Sequence, residues 1–220
     1  MTSEERKAWE RKQRETRIID IAQQVLFEYG YENATILQIA KSAGYNKRTM
    51  YLYFKDKEEI FLAVVLRGLE ILSSMLRSAI EESKDERNQL RKLGEVFFNF
   101  SLEHPEFLRL IMIYESNNCI YHKELKSSTP QGVYLDACQN ETDAIADIMT
   151  STLKRAKDNG TIKTELTPVQ LMLILWGEVF GVMQIILMRR EHFKDAFGIS
   201  YHQLFEAFMN MVVAAISPGD

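Results

Sequence analysis

The stretch that decides the reading is Thr35-Ile36-Leu37-Gln38-Ile39-Ala40-Lys41-Ser42-Ala43-Gly44-Tyr45-Asn46-Lys47-Arg48-Thr49-Met50-Tyr51-Leu52-Tyr53-Phe54. Thr35 with Gln38 three residues on has capping-box spacing, so it predicts a helix start. Ile39, Ala40 and Ala43 supply that helix's inner face, and Gly44 supplies the left-handed residue of a sharp turn. Asn46 is a good cap for a second short helix through Tyr53. Upstream, Ile18, Ile21, Ala22, Val25, Leu26 and Tyr29 repeat at helical spacing, and Gly30 stops the run. Two short helices braced by a preceding amphipathic one make a helix-turn-helix, whose second helix enters a major groove N-terminus first. Here that helix begins Asn46-Lys47-Arg48-Thr49. Lys and Arg suit phosphate or guanine, Thr suits phosphate or a thymine methyl, and the Tyr51 and Tyr53 hydroxyls suit phosphate. A plain pair of connected helices with a polar turn fits the spacing as well.

The run from Ile36 to Ile60, together with Leu26-Phe27-Glu28-Tyr29-Gly30-Tyr31, resembles the tetracycline-repressor (TetR) family over about residues 14–64. The pattern is Ile-Ala, Ala-Gly, a short polar cap, Thr, an aliphatic residue, Tyr, a variable residue, Tyr-Phe and Lys-Glu. By position, the resemblance implies DNA contacts from Thr49, Tyr51 and Tyr53 and a phosphate contact from Lys57. Thr35 and Gln38 fall near the DNA backbone, and Asn46, Lys47 and Arg48 complete the candidate set. Asn46 stands where the family often has Ser, and Arg48 where it often has Gly, so the operator sequence does not carry over.

The whole chain, 220 residues, carries a formal charge of −4, which taken alone argues against a nucleic-acid partner. The charge is unevenly spread. Residues 1–57 hold 11 Lys/Arg against 8 Asp/Glu, and residues 58–220 hold 16 against 23. DNA affinity depends on cations local to the phosphates, so the basic head is the relevant part. The domains expected are a DNA-binding head, 1–57, with a polar extension 1–13, and a helical ligand-binding and dimerisation domain, 58–220. In the extension, Arg6, Lys7, Arg11, Lys12, Arg14 and Arg17 alternate with Glu4, Glu5, Glu10 and Glu15, with Glu10 and Arg14 spaced as an i,i+4 pair. It reads either as a solvated helix or as an arm adding phosphate or minor-groove contacts.

Strand signals are nearly absent, and the pattern predicts an all-α chain of about nine helices. A long helix opens at Asp56 and Glu59 and ends in the polar stretch 81–88. Others run over about 89–103, from Pro105, over 133–158, from Thr167-Pro168, and over 200–216. Residues 117–131 and 192–199 read as connections. Val169 to Met188 holds 15 apolar residues in 20. Gln170, Glu178 and Gln184 interrupt it, which argues against a membrane span and for a helix covered from two sides, one of them a second subunit. The resemblance likewise implies that the last two helices dimerise. Gly177, Gly181, Met183, Phe205, Phe208, Met211 and Val212 are the interface candidates.

The resemblance also implies an effector pocket in the body. Met75, Phe97, Phe100, Met112, Tyr114, Tyr134, Trp176, Glu178 and Phe180 are its candidates, each equally readable as plain core. Glu178 needs a partner if it is buried. The partners expected are operator DNA, a small, largely apolar effector and a second copy of the chain, with no membrane and no cofactor. Two cysteines and no secretory signal favour a reduced, cytoplasmic setting. The four histidines sit in no catalytic motif, so no enzyme and no metal site is expected; Cys119 and His122 make at most half a metal site. The alternative function is a DNA-binding protein of the same fold without an inducer, controlled by a protein partner or organising the chromosome.

Overall fold

The computed structural model describes residues 1–83, 85–125 and 133–216. Its helices are α1 (Ser3–Asn33), α2 (Ile36–Ala43), α3 (Lys47–Met50), α4 (Lys57–Glu81), α5 (Glu86–Glu103), α6 (Pro105–Leu125), α7 (Val133–Asp158), α8 (Pro168–Arg189), α9 (Phe193–Phe197) and α10 (Tyr201–Ile216). A single 3-10 turn, Arg190–His192, precedes α9, and no strand occurs among the described residues. The protein is all-α, as its periodicity predicts.

The helix starts follow the sequence signals. Thr35 and Thr167 each accept from the backbone N–H three residues on, and the Gln38 and Gln170 side chains return the bond. Gly30 (φ 73°) breaks the helical run of α1, although one more turn follows to Asn33. The start of α4 has capping-box spacing at Asp56 and Glu59 but not the reciprocal bond. Asp56 accepts from the Glu59 N–H, but the Glu59 carboxylate reaches the N–H of Lys55 instead. Two connections are also more helical than expected. α6 continues through Asn117 and Asn118 to Leu125, and α9 lies inside 192–199. No proline falls in 117–125, so polar residues alone did not end the helix. Of the expected loop, residues 126–131 lie outside the described residues.

The chain forms two compact units: Met1–Leu69 with Glu106–Asn140, and Glu70–Pro105 with Glu141–Asp220. The first unit thus takes in more than residues 1–57. Its core joins Ile18, Ala22, Val25 and Leu26 of α1 to Ile39 and Ala40 of α2, Met50, Phe54, and Ile60, Phe61 and Val64 of α4. Phe107 of α6 packs edge-on against Phe27, 4.9 Å between ring centres. Cys138 is buried here, its thiol donating to the Leu62 carbonyl; the side chains of Cys119 and His122 lie outside the described residues.

The second unit packs α5, the remainder of α7, α8 and α10 around Phe97, Phe98, Leu153, Leu171, Ile186, Phe205 and Phe208. Phe98 stacks on Phe205 at 4.1 Å, and Trp176 meets Phe97 edge-on at 5.3 Å. Arg91 of α5 pairs with Glu206 of α10.

Candidate nucleic-acid interface

The turn between α2 and α3 is closed by backbone geometry. Gly44 has φ 74°, and its N–H reaches the Ala40 and Lys41 carbonyls. That conformation costs L-residues about 1 kcal/mol or more, which explains glycine here. Beyond it, Asn46 Oδ1 accepts from the Thr49 N–H (2.8 Å) and from the Thr49 hydroxyl (3.1 Å). The recognition helix proper is short, Lys47–Met50, and turns carry the chain through Tyr53. Met50 is buried and roots the helix in the core, while Lys47 and Arg48 are exposed at its start. Two cations beside a capped N-terminus suit an anionic partner.

The other predicted DNA residues fall around this helix. Tyr51 is 48% exposed, and the Lys47 ammonium lies 5.8 Å from its ring centre. Thr35 and Gln38 are bound to each other in the α2 cap: the Thr35 N–H and hydroxyl both donate to Gln38 Oε1. Lys57 is half-buried, 4.5 Å over the Tyr31 ring, and donates to the Glu32 carbonyl. It therefore joins the end of α1 to the start of α4 as well as offering charge.

One contact was missed from sequence, although its residue, Arg11, was among the cations of the extension. Arg11 donates to the Leu52 carbonyl at 2.8 Å and sits 5.3 Å over the Tyr53 ring. The signal was present: Lys7, Arg11 and Arg14 extend the Ile18–Ala22–Val25 stripe at helical spacing. The expected Glu10–Arg14 pair does not form. Glu10 pairs with Arg6 at 3.6 Å, and Lys12 with Glu15 at 3.9 Å.

Residues 18–64 match the family model described as bacterial regulatory proteins, tetR family. Over that segment the chain is of the TetR family. It is 32% identical over 139 residues to the HTH-type transcriptional activator FasR of Mycolicibacterium smegmatis, covering 63% of this chain and 60% of that protein. It is 36% identical over 86 residues to the fatty acid metabolism regulator protein of Bacillus subtilis, covering 39% and 43%. The matches thus span about half the length of these relatives. The solved structure of Bacillus subtilis FadR in complex with stearoyl-CoA aligns with a TM-score of 0.67 at 20% identity, covering 90% of this chain and 97% of that one. That likeness is one of fold.

In the body of the chain, the pocket candidates scatter. A small cavity of about 50 Å³ in the second unit is lined by apolar side chains, among them Leu93, Phe97, Leu153, Leu175, Val179, Phe208 and Val212. Of the nine candidates only Phe97 lines it. Trp176 and Phe180 stack on each other at 4.8 Å, Phe100 is fully buried beside His104, and Met75 is half-buried on α4. Met112, Tyr114 and Tyr134 belong to the first unit. Burial pushes the Tyr134 hydroxyl's pKa up, and its hydrogen bond to Glu15 adds to the shift. Glu178 is exposed, so a single chain imposes no desolvation cost on it.

The interface candidates divide by helix rotation. Gly177, Gly181 and Met211 are exposed, but Met183, Phe205 and Phe208 are buried within their own unit, and Val212 lines the cavity. On α8 the exposed residues include Leu173, Ile174, Gly177, Glu178, Gly181, Ile185 and Met188. The segment Pro168–Phe197 is the one among the described residues long and apolar enough to cross a membrane by length and composition.

Proposed function

We propose that this chain is a dimeric, cytoplasmic transcriptional repressor that releases a pseudo-palindromic operator when a largely apolar effector binds its body. The observation that carries the DNA part is the Asn46-capped recognition helix, with Lys47 and Arg48 exposed at its start. The reading head is residues 1–57 and the effector and dimer domain 58–220. Lys47, Arg48, Thr49 and Tyr53 lead the contacts, with Tyr51, Thr35, Gln38, Asn46 and Lys57 beside the phosphates.

The exposed apolar stripe on α8 supports the dimer. Leu173 and Met188 are 60% and 73% exposed, and a helix this apolar on its outer side is stabilised by burying it. A two-fold pair presents two recognition helices to half-sites one helical turn apart or a multiple of it.

The effector class proposed is a fatty acyl chain. The Bacillus subtilis regulator supports it, being similar in sequence, named for fatty acid metabolism, and similar in fold in a structure solved with stearoyl-CoA. The apolar cavity between α5, α7, α8 and α10 supports it too, although at about 50 Å³ it must widen to admit an alkyl chain. Binding that widens the body and misplaces the heads obeys linkage, so DNA must weaken effector binding by the same factor.

The deciding experiment is a gel shift on the DNA upstream of the protein's own gene, followed by titration with acyl-CoA thioesters of increasing chain length. Release that strengthens with chain length supports the reading. Operator binding unaffected by any acyl chain removes the effector class, and no salt-dependent DNA binding removes the whole proposal.

A further inference from the structure

Residues 1–17 lie outside the segment that matches the family model, yet they are built into the DNA-reading unit. The Thr2 hydroxyl accepts from the Glu5 N–H while the Glu5 carboxylate accepts from the Thr2 N–H, so the helix has a defined start. From there to Gly30 it runs without a break. Two tethers hold it. Arg11 donates to the Leu52 carbonyl and covers the Tyr53 ring, at the end of the recognition segment. Glu15, one turn on, accepts from the Tyr134 hydroxyl.

These tethers fix which way the extension faces. At 3.6 residues per turn, Arg11 lies about 20° from the buried Ile18, Lys7 about 40° from Arg11, and Arg14 about 60° from it. All three cations therefore lie on the side of α1 that meets the recognition segment. Lys7 stands one turn, about 6 Å, beyond Arg11. Both Lys7 and Arg14 are exposed, and among the described residues neither has a carboxylate within ion-pair distance. Arg6 and Lys12 are placed otherwise, off this face and paired with Glu10 and Glu15. The acids of the extension thus neutralise two cations and leave two others available on one face.

We infer that this face of the extension is a second DNA-binding element, in which Lys7 and Arg14 grip phosphates of the duplex read by Lys47–Thr49, with Arg11 as the residue that positions them. The inference rests on the DNA-binding reading above. The ligand chemistry is the phosphodiester backbone, so the added grip raises affinity and leaves sequence preference unchanged.

The test compares wild-type protein, the double variant Lys7→Ala/Arg14→Ala and the control Arg6→Ala/Lys12→Ala, which removes the same charge. Fluorescence anisotropy is read against salt on two duplexes of about 30 base pairs, one from upstream of the protein's own gene and one of random sequence. Helix content by circular dichroism checks that all three fold alike. The expected result is a plot of log K against log salt that becomes shallower by about 1 for each phosphate no longer neutralised, in Lys7→Ala/Arg14→Ala only. The ratio of affinities for the two duplexes should stay the same. An unchanged slope in Lys7→Ala/Arg14→Ala overturns the inference and leaves the DNA-binding reading intact. Equal slope changes in both variants also overturn it, because they report total charge rather than this face. A wild-type protein that binds neither duplex overturns both readings.

Discussion

The Tyr134 hydroxyl at the start of α7 donates to the Glu15 carboxylate in the middle of α1, and the Tyr134 ring stacks 6.0 Å from that of Phe54. One side chain thus touches both the bracing helix and the residue that closes the helix-turn-helix. Removing the hydroxyl alone tests its weight. Tyr134→Phe keeps the stacking and should lower stability by about 1 kcal/mol, or roughly 2–4 °C in melting temperature. The pH dependence follows from the raised pKa. In the folded chain the Tyr134 proton is held more tightly, by burial first and by Glu15 next. Its contribution is complete below the ordinary tyrosine value of about 10 and is lost as pH rises above it. Tyr31 is shifted the same way by burial. Urea melts at neutral and strongly alkaline pH should therefore show Tyr134→Phe and wild type converging as pH rises. A gap that stays constant would remove the titrating role.

Two glycines mark close helix approaches of different stiffness. A Cβ added to Gly68 would meet Phe107 at its Cδ1 (2.9 Å) and at its Cβ (3.1 Å), close to the backbone of α6. A Cβ on Gly94 would meet only the end of Met209, at Sδ (2.6 Å) and Cε (2.7 Å). A thioether end swings aside more easily than a phenylalanine stem. Alanine also gains up to about 1 kcal/mol of helix propensity at either site. Gly94→Ala should be near neutral, while Gly68→Ala should lose about 1 kcal/mol net through overpacking. Denaturant midpoints of the two variants check the order.

The helix-turn-helix was legible because its signals are local. Thr35 with Gln38, Gly44 and Asn46 each act within four residues, and the structure uses each as its spacing implies. Helix rotation in the body was not. Phe205 and Phe208 look the same in sequence whether they face their own core or a second subunit, and only packing against Phe98 and the cavity places them inward. Pocket residues were harder still. Aromatic and Met side chains at helical spacing specify a buried face without saying whether it encloses a void. The face of Arg11 was legible but its partner was not, because that partner is a main-chain carbonyl 41 residues away and no side-chain pattern records a carbonyl.

Asn46 separates helix stability from DNA recognition. Its Oδ1 satisfies the Thr49 N–H, so Asn46→Ala should cost about 1 kcal/mol in stability. Asn46→Asp keeps the acceptor and complements the helix N-terminus, so stability should stay near wild type. The same change puts a carboxylate where a phosphate is proposed to lie. Asn46→Asp should therefore weaken DNA binding at unchanged melting temperature, and Asn46→Ser should preserve both. Thermal melts beside gel shifts read the two effects. Tight DNA binding by Asn46→Asp would place the recognition helix away from the phosphates.

Ile185 tests the dimer more cleanly than any buried residue of the same helices. It is 48% exposed and lies on the exposed side of α8 with Gly181 and Met188, so replacing it leaves the chain's own core intact. Met183, at 2% exposure, offers no such separation, because changing it damages the fold first. Ile185→Arg adds a charge that a monomer leaves in water and a dimer has to bury. The expected outcome is a shift by light scattering from twice the chain mass to a single chain, with little change in circular dichroism. DNA binding should fall with it, since one recognition helix reads only a half-site. A variant that remains dimeric would place the subunit contact on a different surface, and the α8 stripe would then need another cover.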